Sequence, residues 1–141
     1  MLQNGGKVCI SGSGIYNNLK TGNNRSRGFL SDVLGIQDFG ERTGGVNLAS
    51  ADERFLPTTG SLRLSSTLTS WNSRKVAPVS LSGKKEQTLP LLLSGSNGDR
   101  VMAIITRPFY SAGEIISLGF PFSSVASTQQ PLLMEALLKQ M

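Results

Sequence analysis

The amino-acid sequence predicts a layered α/β domain. Three observations support this prediction. A short apolar run leads into a glycine-rich turn in "KVCISGSGIYNN", three apolar strands follow one another between residues 89 and 120, and an amphipathic segment closes the chain. Strand and turn first, then a meander of strands, then a helix is the order expected for helices packed on a sheet.

The N-terminal part reads as the end of a helix followed at once by a strand. Leu2 to Gly6 resembles a helix end with a glycine cap, and Lys7 to Ile10 forms the strand. We expect this strand to be buried, central and parallel to a neighbour. The abrupt start predicts that residues 1–141 are one domain truncated at its N-terminus, so that a sheet edge near this strand lacks its cover.

The next segments alternate between polar and apolar stretches. Tyr16 to Arg27 is rich in Asn and Gly and predicts a loop. Apolar pairs four residues apart, Phe29-Leu30 and Val33-Leu34, predict a short amphipathic helix over residues 26–34 that Gly35 stops. Residues 38–60 show little periodicity and predict a loop with one short strand.

The second half carries the clearest pattern. Leu62 and Leu64 alternate with polar residues as in a half-exposed strand, and Val76 to Leu81 predicts another. Three apolar runs joined by short turns predict an antiparallel meander within one sheet. They are Leu89 to Leu93, Val101 to Thr106 and Glu114 to Phe120.

The final helix is predicted from its apolar spacing. Ser127 or Thr128 would cap it, Pro131 is tolerated in its first turn, and Leu133, Ala136 and Leu137 supply its buried stripe.

Composition and charge disfavour several classes of partner. The chain has 14 Lys and Arg against 9 Asp and Glu, a net charge of +5. These basic residues are scattered and no aromatic residues interleave with them, so they predict solvated charge rather than a nucleic-acid surface. No apolar run approaches the length of a membrane helix, and no signal peptide opens the sequence. We expect neither nucleic acid nor membrane as a partner.

The counts of cysteine and histidine restrict the chemistry. Cys9 is the single cysteine, which excludes an internal disulfide and a multi-cysteine zinc site. The chain contains no histidine, so neither a Ser-His nor a Cys-His pair can be completed within it. We therefore predict no metal and no cofactor.

The turn Ser11-Gly12-Ser13-Gly14 allows three interpretations. As a dinucleotide-binding turn it lacks its third glycine, because position 17 is Asn. As a nucleophile elbow it has small residues, Cys9 and Ser13, on either side of Ser11, which the strained turn requires. As an ordinary strand end it needs no function at all.

Other candidate sites have equally simple structural explanations. Asn97 and Asp99 could offer oxygen ligands to calcium, but a β-turn explains them. Trp71, with Tyr16 or Tyr110, could form a sugar-stacking platform or pack over the sheet edge. The acidic residues that could pair as glycosidase carboxylates lie in polar, loop-like surroundings; they are Asp38, Glu41, Asp52 and Glu53.

Three segments resemble the later part of a class I glutamine amidotransferase-like domain. They are "GGKVCISGSGIYNNL", "GFLSDVLGI" and "GEIISLGFPFSSV" with "QQPLLMEALLKQM". They are most similar to the degenerate copies in large secreted bacterial proteins of the xanthan lyase-like kind. The resemblance covers nearly the whole chain, weakly over residues 38–88, and implies a flavodoxin-like three-layer α/β/α sandwich.

The same resemblance implies that the catalytic positions are replaced. Ser11 stands where active amidotransferases have their cysteine, Pro121 falls at the histidine position, and Ser123 lies near the glutamate position. Lysine could replace the missing base, but Lys7 lies at the far end of its strand and Lys20 in the predicted loop. Ser11 is therefore expected to make only structural hydrogen bonds.

The sequence leads to one expected function and two alternatives. We expect a non-catalytic amidotransferase-like structural or interaction module of a larger secreted or periplasmic protein that acts on polysaccharide or cell-surface material. Its partners would be the other domains of that protein, a glycan, or a second copy bound through the uncovered sheet edge. The alternatives are a hydrolase that uses Ser11 with a base from outside this chain, and a carbohydrate-binding module that uses Trp71.

Overall fold

The computed structural model describes residues 4–41, 46–51, 55–56, 62–64, 78–94, 100–109 and 111–140. Within these ranges it has eight strands, three α-helices, a π-helical turn and a 3₁₀ turn. The strands are β1 (Lys7–Ser11), β2 (Ile36–Glu41), β3 (Val46–Ser50), β4 (Leu62–Leu64), β5 (Val79–Gly83), β6 (Thr88–Ser94), β7 (Arg100–Thr106) and β8 (Glu114–Leu118). The helices are α1 (Gly14–Thr21), α2 (Asn24–Gly28) and α3 (Gln130–Gln140), with the π-helical turn at Phe29–Val33 and the 3₁₀ turn at Phe122–Ser124.

The fold is mixed α/β, built on a six-stranded mixed sheet of order β1-β8-β7-β6-β3-β4. Strands β6, β7 and β8 lie side by side and antiparallel, which confirms the predicted meander for this part of the sheet. Strand β1 pairs with β8 in parallel. A separate two-stranded antiparallel sheet joins β2 to β5.

The strand Lys7–Ser11 is parallel to its neighbour as predicted, but it is not central. It is the first strand of the sheet order, with β8 as its only partner among the described strands. The apolar residues Val8, Cys9 and Ile10 are half-buried rather than buried. A strand with one neighbour keeps part of its surface exposed. The apolar run of β1 does not show whether the strand lies at the centre or at the side of the sheet.

The prediction of a loop from Tyr16 to Arg27 is wrong, because helices α1 and α2 occupy most of this segment. Helix α1 begins at Gly14, directly after the turn, and buries Tyr16 completely. Asn23 accepts a 3.0 Å hydrogen bond from the Ser26 backbone N–H and so caps α2. Burial of one large side chain outweighs the weak helix propensity of the Asn-rich segment.

The helix predicted over residues 26–34 is present but begins two residues earlier. It runs from Asn24 through α2 and ends in the π-helical turn. Gly35 follows with a φ of +66°, a backbone conformation that favours glycine. The predicted stop is therefore confirmed.

The segment from residue 38 to 60 is more structured than predicted. It contains most of β2 and the whole of β3, where one short strand was expected. Strand β4 shows the predicted alternation, since Leu62 and Leu64 are buried and Arg63 is exposed. Strands β2 and β3 find partners far along the chain, in β5 and β6, and these pairings cannot be read from the local pattern.

Helix α3 has the predicted buried stripe of Leu133, Ala136 and Leu137. It begins at Gln130, so neither Ser127 nor Thr128 directly precedes it as the predicted cap. None of the helices in the described part of the chain is long and apolar enough to cross a bilayer.

Both faces of the main sheet are covered. Alternate strand residues point to opposite faces, so Ile105 and Ile116 join one cluster with α3 while Ile104 and Ile115 join another. The second cluster includes Tyr16 of α1 and the inward residues of the β2–β5 sheet. The Ser11 turn connects the end of β1 to the start of α1.

Candidate functional site at the Ser11 turn

The Ser11 hydroxyl lies between two backbone groups. Its Oγ donates a hydrogen bond to the Phe120 carbonyl oxygen at 3.0 Å and accepts one from the Phe122 backbone N–H at 2.7 Å. Both partners lie in the segment after β8. The structure thus brings together the two regions that sequence analysis singled out, the elbow at Ser11 and the segment around Pro121.

The rest of the glycine-rich turn has structural explanations. Gly12 has a φ of +142°, a backbone conformation that residues other than glycine rarely adopt. Ser13 is buried at the start of α1, and its side chain makes no cap hydrogen bond. Gly14 is the first residue of that helix. The turn therefore reverses the chain from β1 into α1 over two residues.

Pro121 and Ser123, which the family resemblance aligns with catalytic positions, lie in a tight turn. Ser124 donates hydrogen bonds from both its backbone N–H (2.9 Å) and its Oγ (2.5 Å) to the Pro121 carbonyl oxygen. Ser123 is exposed within the 3₁₀ turn. The carbonyl and ring of Pro121 offer no proton acceptor of the kind that imidazole supplies.

Neither candidate lysine serves Ser11 as a base. The Lys7 ammonium donates a 2.6 Å hydrogen bond to the Gln140 carbonyl oxygen and lies 3.4 Å from the Glu114 carboxylate. Lys20 lies in helix α1, not in a loop as predicted. Its ammonium is 3.5 Å from the Asp38 carboxylate and 5.2 Å from the centre of the Phe39 ring.

Glu114 lies opposite Lys7 at the start of β1. Partial burial alone would raise the pKa of this carboxyl, but the hydrogen bond from Arg107 and the charge of Lys7 outweigh it, so the pKa lies below its ordinary value. Glu114 is therefore ionised at neutral pH and holds Lys7 away from Ser11.

Two further titratable groups lie close to the turn. Burial raises the pKa of the Cys9 thiol, which packs against the cluster around α3, so Cys9 is not the thiolate that a nucleophile requires. The Tyr16 hydroxyl is buried and donates a 2.6 Å hydrogen bond to the Leu118 carbonyl oxygen. Burial raises the pKa of Tyr16 as well.

Most of the remaining sequence candidates fall outside the part of the chain that the structure describes. Trp71, Asn97 and Asp99 lie outside the described residues, as do Asp52, Glu53 and Tyr110. Asp38 is described, and it is paired with Lys20. In the described ranges no three His, Cys, Asp or Glu side chains come together in a way that could hold a metal ion.

Sequence analysis did not predict a cleft that the structure shows beside the β2–β5 sheet. It has a volume of about 620 Å³ and is lined by residues of β2, β5, β6 and β7 and of the β5–β6 turn. The sequence alone gives no sign of this cleft, because its lining comes from three stretches of the chain that are far apart in the sequence: residues 38–40, 80–90 and 100–104. Comparison with protein-family models, with curated proteins and with solved structures finds no match for this chain.

Proposed function

We propose that this chain is a non-catalytic structural or interaction module. The observation that carries the proposal is the position of the Ser11 hydroxyl between the Phe120 carbonyl and the Phe122 N–H. In this arrangement Ser11 ties the end of β1 to the segment that follows β8.

The hydrogen-bond direction opposes nucleophilic use of Ser11. A serine attacks only when a base accepts its proton, and here that proton is donated to a peptide carbonyl, which is not a base at neutral pH. The chain has no histidine, and the Lys7 ammonium is held by Glu114 and the Gln140 carbonyl.

The finer parts of the proposal rest on the family resemblance. We infer a flavodoxin-like three-layer arrangement in a domain of a larger secreted protein that acts on polysaccharide or cell-surface material. The exposed side of β1, an edge strand among the described strands, supports an interaction role, since an edge strand offers unpaired backbone groups to a partner. That partner would be another domain of the same protein or a second copy.

Covalent labelling tests the non-catalytic assignment. We expect a fluorophosphonate probe to leave Ser11 unmodified in the intact protein. Mass spectrometry should then find no added probe mass on either the wild type or Ser11→Ala. Stoichiometric labelling of wild type that disappears in Ser11→Ala would overturn the proposal in favour of a serine hydrolase.

A glycan screen separates the interaction module from a carbohydrate-binding module. We expect the wild-type protein and Trp71→Ala to give the same glycan profile. Binding that is lost in Trp71→Ala would show instead that Trp71 forms a sugar-stacking surface.

A further inference from the structure

The cleft beside the β2–β5 sheet has the size of a small-molecule site. Its volume of about 620 Å³ falls within the range of roughly 300–1,000 Å³ found for ligand pockets. None of its lining residues belongs to the Ser11 turn or to the segment around Pro121. Binding in this cleft is thus independent of whether Ser11 reacts.

The lining combines an apolar base with hydroxyl groups. Leu81 and Ile104 are buried, and Val101 beside them is half-buried. Ser80 and Ser82 add hydroxyl groups to the lining. The apolar surface that a ligand can reach belongs to Phe39 and Val101, which are half-buried, and to Pro90, which is exposed. A ligand that fits this surface has an apolar body, because these side chains offer it dispersion contacts.

The charges of the lining are not balanced. The single acidic side chain among its residues, Asp38, is already paired with Lys20 at 3.5 Å. Lys85 is exposed, and its ammonium has no hydrogen bond or ion pair among the residues that the structure describes. Arg100 is the other basic residue of the lining, and like Asp38 it already has a partner, so Lys85 carries the unpaired charge. The cleft therefore complements a negative charge.

The turn that carries Lys85 is held in place. The Lys84 carbonyl oxygen accepts hydrogen bonds from the backbone N–H groups of Gln87 and Thr88, both at 3.0 Å, and from the Thr88 hydroxyl at 2.8 Å. The Lys84 N–H donates to the Gly35 carbonyl oxygen at 2.8 Å. A charge on a fixed turn loses less freedom when a ligand binds, so this geometry favours recognition.

We propose that this cleft binds a small organic carboxylate with an apolar body. The apolar part lies against Phe39, Pro90 and Val101, over the buried Leu81 and Ile104, and the carboxylate pairs with the Lys85 ammonium. This ligand class goes beyond the proposed structural role, because it gives the module a site for a small molecule.

The probe pair 4-phenylbutyrate and 4-phenyl-1-butanol tests the proposal, since the two differ in the negative charge and share the apolar body. We expect the carboxylate to shift the amide resonances of Leu81, Val101 and Ile104 in an NMR titration of the intact protein. Lys85→Gln should weaken its binding about two- to fivefold, as loss of one exposed ion pair would. The alcohol should bind more weakly and respond little to Lys85→Gln.

Two further variants sharpen the result. Lys84→Gln makes the same charge change one residue away, at a side chain that lies 3.3 Å from Asp32, and should leave binding unchanged. Ser82→Glu places a negative charge on an exposed lining residue and should weaken carboxylate binding more than Lys85→Gln does. Equal affinity for acid and alcohol, equal effects of the two lysine variants, or shifts confined to residues outside the cleft would overturn the proposal.

Discussion

The Ser11 side chain connects two segments that lie 109 residues apart in the sequence. It satisfies one backbone acceptor and one backbone donor at the end of the sheet, Phe120 and Phe122. A hydroxyl is the smallest side-chain group that can do both, because it carries one proton and two lone pairs. This role explains a serine at the turn without any reaction.

We expect Ser11→Ala to lower the free energy of unfolding by about 1 kcal/mol, because the two backbone groups lose their partner. Urea denaturation measures this change. Ser31→Ala is the matched control, since the Ser31 hydroxyl bonds the neighbouring Asp32 side chain at the surface and no distant backbone group among the described residues, and it should change stability by less than about 0.5 kcal/mol. Equal effects of the two variants would contradict a tying role for Ser11.

Tyr16 also makes a hydrogen bond at the end of β8. Its ring is fully buried, and its hydroxyl donates to the Leu118 carbonyl oxygen. Tyr16→Phe should cost about 1–3 kcal/mol at pH 7, because a buried acceptor loses its donor. Urea denaturation at that pH measures the loss, and an unchanged midpoint would contradict the importance of this bond.

The raised pKa of Tyr16 also predicts a pH dependence. Burial favours the neutral phenol in the folded state, whereas the unfolded chain releases this proton near pH 10. The contribution of Tyr16 to stability is therefore complete below about pH 10 and is lost as the pH rises above it, by up to about 1.4 kcal/mol per pH unit. Unfolding measured between pH 9 and 11.5 should show a steeper decline for wild type than for Tyr16→Phe, and parallel declines would contradict the assignment.

The two-stranded sheet joins the main sheet through a close backbone contact at Gly119. Its N–H donates to the Met102 carbonyl oxygen at 2.8 Å, and its own carbonyl accepts from the Val79 N–H at 2.6 Å. A Cβ at this position would overlap the Val79 carbonyl oxygen. Backbone atoms cannot move aside as a flexible side chain can, so the contact requires glycine.

We expect Gly119→Ala to lower stability by more than about 2 kcal/mol, because β5 must separate from the end of β8. Thermal unfolding followed by circular dichroism measures the loss. Gly14→Ala is the control, since a Cβ there meets nothing within 4 Å and lies at the start of α1, where alanine is tolerated well. A Gly119→Ala protein with a wild-type melting temperature would show that the contact is less close than described.

Strand β1 lies at one end of the strand order of the six-stranded sheet. Both sheet faces are covered, by α3 on one side and by α1 with the β2–β5 sheet on the other, while β1 has one strand partner among the described strands. The five residues of β1 are half-buried to exposed. Half of its backbone groups face away from β8, and on that side no described strand pairs with them.

We expect the protein to self-associate through β1 as its concentration rises. Sedimentation velocity should show a concentration-dependent dimer, and hydrogen exchange at the Cys9 amide should slow with concentration while exchange in α2 does not change. A strictly monomeric protein, or a dimer without added protection in β1, would contradict this use of the edge.

The local sequence pattern is sufficient to predict the elements that carry dense apolar runs. Strands β7 and β8 and the buried stripe of α3 were predicted close to their observed positions, because continuous apolar surface must be buried in any fold this chain adopts. The expectation that Ser11 makes structural hydrogen bonds followed from the absence of histidine, which is a property of composition and independent of the fold.

Tertiary structure decided what depends on contacts between distant segments. The sequence predicts a loop where α1 lies, because the polar residues of this segment have weak helix propensity. The burial of Tyr16 that favours the helix depends on β8, whose Leu118 carbonyl accepts the Tyr16 hydrogen bond. The position of β1 at the sheet side, the partners of Ser11 and the cleft beside Lys85 depend in the same way on which strands pair. An apolar strand has the same sequence at the centre or at the side of a sheet, since the pattern records which residues prefer burial and not which neighbours bury them.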